Sequence, residues 1–182
     1  QTCALPIYIE RKGILDFVEM AKRYPQYDFI WFGSTPSALI PAKIRKAVRT
    51  QLPNLQFPGF VGKEELMDAY SGSDLFFFPT LEETEGIVML EAMAMETPVL
   101  TRDIPVYEGW LEHGRTVYKG RGQEDFARLL PDILEGRLPR LTEEAYRLVQ
   151  ENSITKIGDA LAGIYEGLFA EEKAESKNLQ LL

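Results

Sequence analysis

The chain predicts a doubly wound α/β domain with a parallel sheet at its centre, and three observations carry that prediction. Two four-residue runs, 29–32 (Phe-Ile-Trp-Phe) and 75–78 (Leu-Phe-Phe-Phe), are apolar throughout, as strands covered on both faces must be. Such runs alternate with segments whose apolar residues recur at helical spacing. Glycine or proline stands at the end of most strand-like runs, including Gly33, Pro58-Gly59 and Pro79.

The elements follow in order. Tyr8-Ile9 reads as the stub of a first strand. Ile14, Leu15, Phe17, Val18 and Ala21 give residues 14–24 an apolar helical face, stopped by Pro25. Residues 29–32 form a strand. Residues 41–52 read as a helix with proline in its first turn and a basic face of Lys43, Arg45, Lys46 and Arg49. Leu55-Gln56-Phe57 is a strand ended by Pro58-Gly59, and residues 63–70 a short helix. The strand at 75–78 precedes a helix at 87–95. Pro98-Val99-Leu100 is a strand, 105–111 a short helix and 116–118 a short strand. Helices follow at about 123–134, 143–150 and 153–169, and the polar residues from Glu171 onward predict a frayed tail.

Residues 1–7, Gln-Thr-Cys-Ala-Leu-Pro-Ile, match one reading frame of a common sequencing-adapter oligonucleotide, residue for residue. They are set aside as a library artefact; the other reading is a genuine strand start at residues 4–7. Cys3, the single cysteine, then says nothing about redox compartment, and the chain is expected to be a fragment truncated on its N-terminal side. Residues 8–170 are left as one domain of ordinary size.

Composition narrows the function. With 45% apolar and 26% charged residues the chain is globular, and its net charge of −8 disfavours a nucleic-acid binder. No apolar run reaches the length of a membrane span. Without Cys3, disulfides and cysteine-based metal sites are excluded, and no histidine–carboxylate cluster suggests another metal site. His113, the lone histidine, stands beside Glu112 and Gly114 as in an exposed loop.

Chemistry concentrates in residues 82–94, Glu-Glu-Thr-Glu-Gly-Ile-Val-Met-Leu-Glu-Ala-Met-Ala. Gly86, Ile87 and Val88 would open a helix whose free N–H groups and positive dipole end suit an anion. Glu83 and Glu91, separated by seven residues, can accept hydrogen bonds from sugar hydroxyls. A solvated acidic helix start, favoured by the dipole, explains Glu82, Glu83 and Glu85 equally well. Arg11-Lys12-Gly13 stands at a strand end just before a helix, where basic side chains reach a diphosphate or are simply exposed. Gly59-Phe60-Val61 follows a strand; glycine there admits a flat ring to the backbone, or is a plain turn. Asp103 caps the helix begun at Pro105 or touches substrate.

As a set, these residues resemble the C-terminal, donor-binding domain of family 4 retaining glycosyltransferases, whose two facing Rossmann-like domains make the GT-B fold. The family's pattern reads here as Pro79-Thr80, Glu83, Glu91-Ala92-Met93-Ala94 and Thr97-Pro98-Val99, with its Lys-Gly matched by Lys12-Gly13. The resemblance runs from Tyr8 to about Phe169. It implies that Lys12, with Arg11, holds the diphosphate of a UDP-sugar donor, and that the backbone of Gly59, Phe60 and Val61 faces the base. It further implies that Glu83 contacts the transferred sugar and Glu91 the ribose, and that the amides of Gly86, Ile87 and Val88 complete the phosphate cradle. Transfer would retain anomeric configuration with no obligatory metal. Two departures stand out: Thr84 where many members have glycine after the first glutamate, and an upstream phosphate-binding arginine that would fall within residues 1–7. Residues 82–88, 102–107 and 29–33 are similar to those of glycolipid synthases of low-GC Gram-positive bacteria. Those enzymes glycosylate diacylglycerol or monoglucosyldiacylglycerol at the inner membrane face, giving bilayer lipids and lipoteichoic-acid anchors. The implied partners are a UDP-sugar, glucose foremost, and a lipid acceptor bound by an N-terminal domain, with peripheral membrane contact. A soluble or polysaccharide acceptor, or a non-catalytic nucleotide-sugar-binding module, are the alternatives.

Overall fold

The computed structural model describes residues 2–4 and 7–179, except for the side chains of Ala4, Ser37 and residues 170–179. It divides into two compact units, residues 1–146 and 147–182. The first unit holds a six-stranded sheet in which every pairing is parallel: β1 (Thr2–Ala4), β2 (Phe29–Phe32), β3 (Leu55–Gly59), β4 (Leu75–Phe78), β5 (Val99–Arg102) and β6 (Tyr118–Gly120). The strand order is β3-β2-β1-β4-β5-β6. The chain winds outward from β1 to β3 and then returns to β4 on the other side of β1. The reversal between β1 and β4 is where a doubly wound sheet leaves a crevice beyond its strand ends.

The helices are α1 (Ile14–Arg23), α2 (Ala42–Val48), α3 (Lys63–Ser71), α4 (Ile87–Ala94), α5 (Gln123–Leu134), α6 (Thr142–Glu151) and α7 (Ile154–Leu179). Alternate side chains of a strand point to opposite faces, and β4 shows what covers each. Phe77 stacks on Phe17 of α1 with centroids 5.8 Å apart and meets Phe126 of α5 edge-on at 5.1 Å. Phe76 and Phe78 face the other way, where Tyr70 of α3 meets Phe76 at 5.5 Å. All four β4 residues are buried, which explains the uninterrupted apolar run. Ile14, Phe17, Val18, Met20 and Ala21 form the buried side of α1. Asn54 closes that helix from a distance, its Nδ2 lying 2.9, 3.1 and 2.9 Å from the carbonyls of Ala21, Tyr24 and Tyr27. In the second unit, α7 carries Ile154, Ile157, Leu161, Ile164 and Leu168 at helical spacing, all exposed.

Several sequence expectations are corrected. The first strand is Thr2–Ala4, inside the segment set aside, and not Tyr8-Ile9. Tyr8 sits in a bend and is buried by edge-on contact with Phe57. Of the alternative strand at residues 4–7, residues 5 and 6 lie outside the described residues, as does residue 1. β3 runs on through Pro58 and Gly59; as an edge strand it tolerates a residue with no N–H to donate. α2 stops at Val48, four residues early. The segment from Pro105 makes one 3-10 turn, Pro105–Tyr107, in place of a helix to residue 111, and β6 lies two residues beyond its expected start. α7 is helical to Leu179, past the expected frayed tail from Glu171; residues 180–182 lie outside the described residues.

Candidate functional site

A cavity of about 470 Å³ opens at the C-terminal ends of the central strands, within the range that holds a small organic ligand. Four loops line it. The segment after β1 contributes Ile7 and Lys12, and the one after β2 contributes Gly33 and Ser34. Phe60 and Val61 follow β3, and residues 83–88 follow β4. Strand ends, not sequence proximity, therefore gather the site.

The β4–α4 loop ends at Gly86, the N-cap of α4, with φ +77°. A Cβ there would stand 2.7 Å from the Met89 side chain and 3.2 Å from the Tyr107 hydroxyl, so the turn requires glycine. No side chain caps α4, and its first two residues, Ile87 and Val88, line the cavity, so the helix opens beside it with no side chain on its first N–H groups. Seven of the eight residues of α4 are aliphatic or Met, and its buried side is Met89, Ala92 and Met93.

Lys12, on the loop after β1, lines the same cavity. Its ammonium forms an ion pair with Glu83, whose side chain is only 6% exposed. Thr80 Oγ1 lies 2.9 Å from the same Glu83 oxygen. Lys12 also stands 5.7 Å over the Phe78 ring. The ion pair leaves this part of the cavity electrically balanced. An entering anion would take over the lysine, and a ligand hydroxyl could donate to the released carboxylate.

The two loops are held together from behind. Gly13 has φ +79°, and a Cβ on it would fall 2.1 Å from the Pro79 carbonyl oxygen. Leu81 N–H donates to the Arg11 carbonyl at 2.7 Å, and Thr80 Oγ1 lies 3.2 Å from it. At the end of β5, Arg102 directs Nε and Nη2 to the Pro79 carbonyl at 3.3 Å each and Nη1 to the Arg121 carbonyl at 2.8 Å. Its Nη2 also pairs with Asp16 in the first turn of α1, and the guanidinium lies 5.1 Å from the Phe126 ring.

Lys12, Glu83, Gly86, Ile87, Val88, Phe60 and Val61 are thus brought to one cavity. Three other expected site residues are placed elsewhere. Arg11 is exposed, and the loop uses its carbonyl rather than its side chain. Gly59 pairs with Phe32 within the sheet, its carbonyl accepting from Gly33 N–H at 2.7 Å. Glu91 lies one helical turn in from the cavity wall and accepts a 3.2 Å hydrogen bond from the Tyr70 hydroxyl. Burial, reinforced by the Glu91 charge, pushes the Tyr70 phenol well above its ordinary pKa, which keeps it a donor. Burial and then Glu83 do the same to Tyr107. Asp103 caps nothing, because Ile104 is the N-cap of the turn; Asp103 lies instead 3.7 Å from Lys119 and 3.9 Å from Arg121. Ser34 and Leu66 also line the cavity. Ser34 could have been found by reading outward from the strand at 29–32, whereas Leu66 reads only as one more helix position.

Fold and cavity define a Rossmann-like α/β domain with a ligand cleft at the switch point of its sheet. Residues 3–135 match the family described as glycosyl transferases group 1, and the chain belongs to that family. It is 42% identical over 160 residues to the processive diacylglycerol alpha-glucosyltransferase of Acholeplasma laidlawii, covering 88% of this chain and 48% of that protein. It is 33% identical over 147 residues to the alpha-galactosylglucosyldiacylglycerol synthase of Streptococcus pneumoniae, covering 79% of this chain and 39% of that protein. The chain therefore spans about half or less of the length of these curated relatives. Among solved structures, the Anabaena protein HepE in complex with UDP-glucose superposes with a TM-score of 0.79 at 18% identity, over 91% of this chain and 48% of HepE. That likeness establishes the fold, one half of a GT-B glycosyltransferase.

Proposed function

We propose that this chain is the donor half of a lipid glycosyltransferase, binding a UDP-hexose, glucose foremost, for transfer to diacylglycerol or a glycosyl-diacylglycerol. The observation that carries the reading is that Lys12 and the uncapped N-terminus of α4 line one cavity. A diphosphate placed between them meets a point charge on one side and free backbone N–H groups on the other. Glu83, once released from Lys12, accepts from a sugar hydroxyl, and the loop at Phe60 and Val61 faces the base. Glu91 and Arg11 would reach the ribose and the diphosphate only after side-chain movement. The named activities of the relatives support the acceptor class, and the UDP-glucose complex of HepE supports the donor class.

In the transfer, the bond between the sugar's anomeric carbon and the β-phosphate oxygen breaks with its electron pair leaving on UDP. A bond forms from the acceptor hydroxyl oxygen to the same carbon, and the hydroxyl proton passes to the leaving diphosphate oxygen. Lys12 and the α4 amides stabilise the charge that accumulates on the leaving diphosphate. This chemistry needs no metal and retains anomeric configuration in our reading. The acceptor binds to a further domain of the kind the longer relatives have room for, at the inner face of the plasma membrane. No described helix is long and apolar enough to cross a membrane, which is compatible with peripheral attachment.

The test is a calorimetric titration of this chain with UDP and, separately, with uridine. UDP should bind more tightly than uridine, and Lys12→Ala should remove about a tenfold share of that preference, the worth of one charge-assisted contact. Equal binding of UDP and uridine by the unaltered chain would refute the site. Sugar transfer to diacylglycerol by residues 1–182 unaided would refute the placement of the acceptor in a further domain.

A further inference from the structure

We propose that Arg102 is a positioning residue for the diphosphate clamp, locking the Lys12 loop and the Glu83–α4 loop in the alignment that lets one anion touch both. The proposal rests on the donor-binding reading above and adds to it a residue outside the cavity lining.

Arg102 is 9% exposed and sits at the C-terminal end of β5, two strands from β1. All three guanidinium nitrogens are engaged, and the acceptors belong to three different segments. Asp16 belongs to α1, immediately after the Lys12 loop; Pro79 begins the Glu83 loop; Arg121 precedes α5. Asp16 is itself oriented by Gln123, whose Nε2 donates to its second oxygen at 2.7 Å. Arg102 thus grips the helix that follows the Lys12 loop, through a side chain, and the Glu83 loop, through a carbonyl. The gripped carbonyl, Pro79 O, is the atom against which Gly13 is packed. Any change in its direction moves the turn carrying Lys12. The next residue, Thr80, touches the Arg11 carbonyl at 3.2 Å and Glu83 at 2.9 Å, so the same shift reaches Glu83. Only a planar, multiply donating group can serve acceptors in these three directions. Lysine keeps the charge but offers one nitrogen.

The base-facing loop after β3 makes none of these contacts, and the experiment uses that separation. UDP and uridine affinities are measured for the unaltered chain and for Arg102→Met, Arg102→Lys and the double variant Arg102→Met/Asp16→Asn. The double variant leaves no lone carboxylate behind. Denaturant unfolding checks that each is folded. Arg102→Met and the double variant should lose about 10-fold or more in UDP affinity while uridine affinity stays within about twofold, the range typical of groups that orient a ligand-binding side chain. Arg102→Lys should fall between. A merely structural role would lower both affinities together or neither, and either result overturns the proposal. If the unaltered chain shows no preference for UDP, the donor reading and this proposal fall together. If Lys12→Ala loses the preference and Arg102→Met keeps it, the donor reading stands and the proposal alone fails.

Discussion

Replacing Gly13 with alanine tests whether the contact between the two loops is as tight as it looks. A Cβ on Gly13 would lie 2.1 Å from the Pro79 carbonyl oxygen and 2.5 Å from its carbon. An ordinary carbon–oxygen contact is about 3.3 Å, so the loops must part by about 1 Å. That movement stretches the 2.7 Å hydrogen bond from Leu81 N–H to Arg11 and costs about 1 kcal/mol. A left-handed backbone costs a non-glycine residue about 1–2 kcal/mol, and overpacking against backbone adds about 1–3 kcal/mol. The expected destabilisation is about 3–6 kcal/mol, a large part of the roughly 5–15 kcal/mol that holds a domain folded. Gly59 supplies the comparison. It has φ +87°, but a Cβ there meets nothing within 4 Å, so Gly59→Ala should cost only the backbone share, about 1–2 kcal/mol. Urea denaturation of both variants, with equal slopes, gives the difference directly. If Gly13→Ala falls within about 1 kcal/mol of Gly59→Ala, the loops have slack and the steric argument is wrong.

Asn54→Leu should destabilise by about 2–3 kcal/mol, because three carbonyls at the end of α1 share its amide and a leucine offers none of them a donor. A loss below about 0.5 kcal/mol in the same assay would mean that water replaces it. The buried phenols predict a pH dependence. Tyr70 and Tyr107 have pKa values raised above the ordinary 10.0, first by burial and then by Glu91 and Glu83 respectively. Raised values protect the neutral form in the folded state. The stability they contribute is therefore fully present below pH 10 and is lost as the pH climbs toward the folded values. The slope above that point should be about 1.4 kcal/mol per pH unit for each phenol, measurable as falling urea midpoints. Tyr70→Phe should remove one phenol's share, and an unchanged slope would show that the Tyr70 hydroxyl reaches solvent.

The strands at 29–32 and 75–78 were legible to the residue, because an apolar run with no polar alternation has few ways to be satisfied except between two helical layers. α5 was legible despite Pro131 in its interior, since Phe126, Leu129, Leu130 and Ile133 keep helical spacing through it. β1 was not. The segment matches an adapter reading frame, and three residues are too few to show a strand's period. Tyr8 misled in the opposite way, because burial of an aromatic side chain looks the same in sequence whether it comes from a ladder or a bend. At the site, the loop carrying Lys12 reads from sequence as the end of a strand at Tyr8-Ile9 that the structure does not have, whereas the loops after β2, β3 and β4 could be read off as strand ends. The pairing of Lys12 with Glu83 could not, since their separate roles as cation and acceptor say nothing of mutual contact before a ligand arrives. Arg102 was passed over because its partners are 23 and 86 residues away, and no local pattern encodes a contact at that range.

Three residues of β1 stand between β2 and β4, each of which has β1 as its inner neighbour. Without them the sheet would fall into a pair and a triplet of strands, each presenting an unpaired inner edge rich in phenylalanine. Such edges recruit other chains. Whatever segment precedes Tyr8 in a shortened or tagged version must therefore supply an extended stretch of its own. A protein trimmed to begin at Tyr8 should precipitate or assemble through those edges, and the clamp between Lys12 and α4 would lose the strand that spaces its two halves.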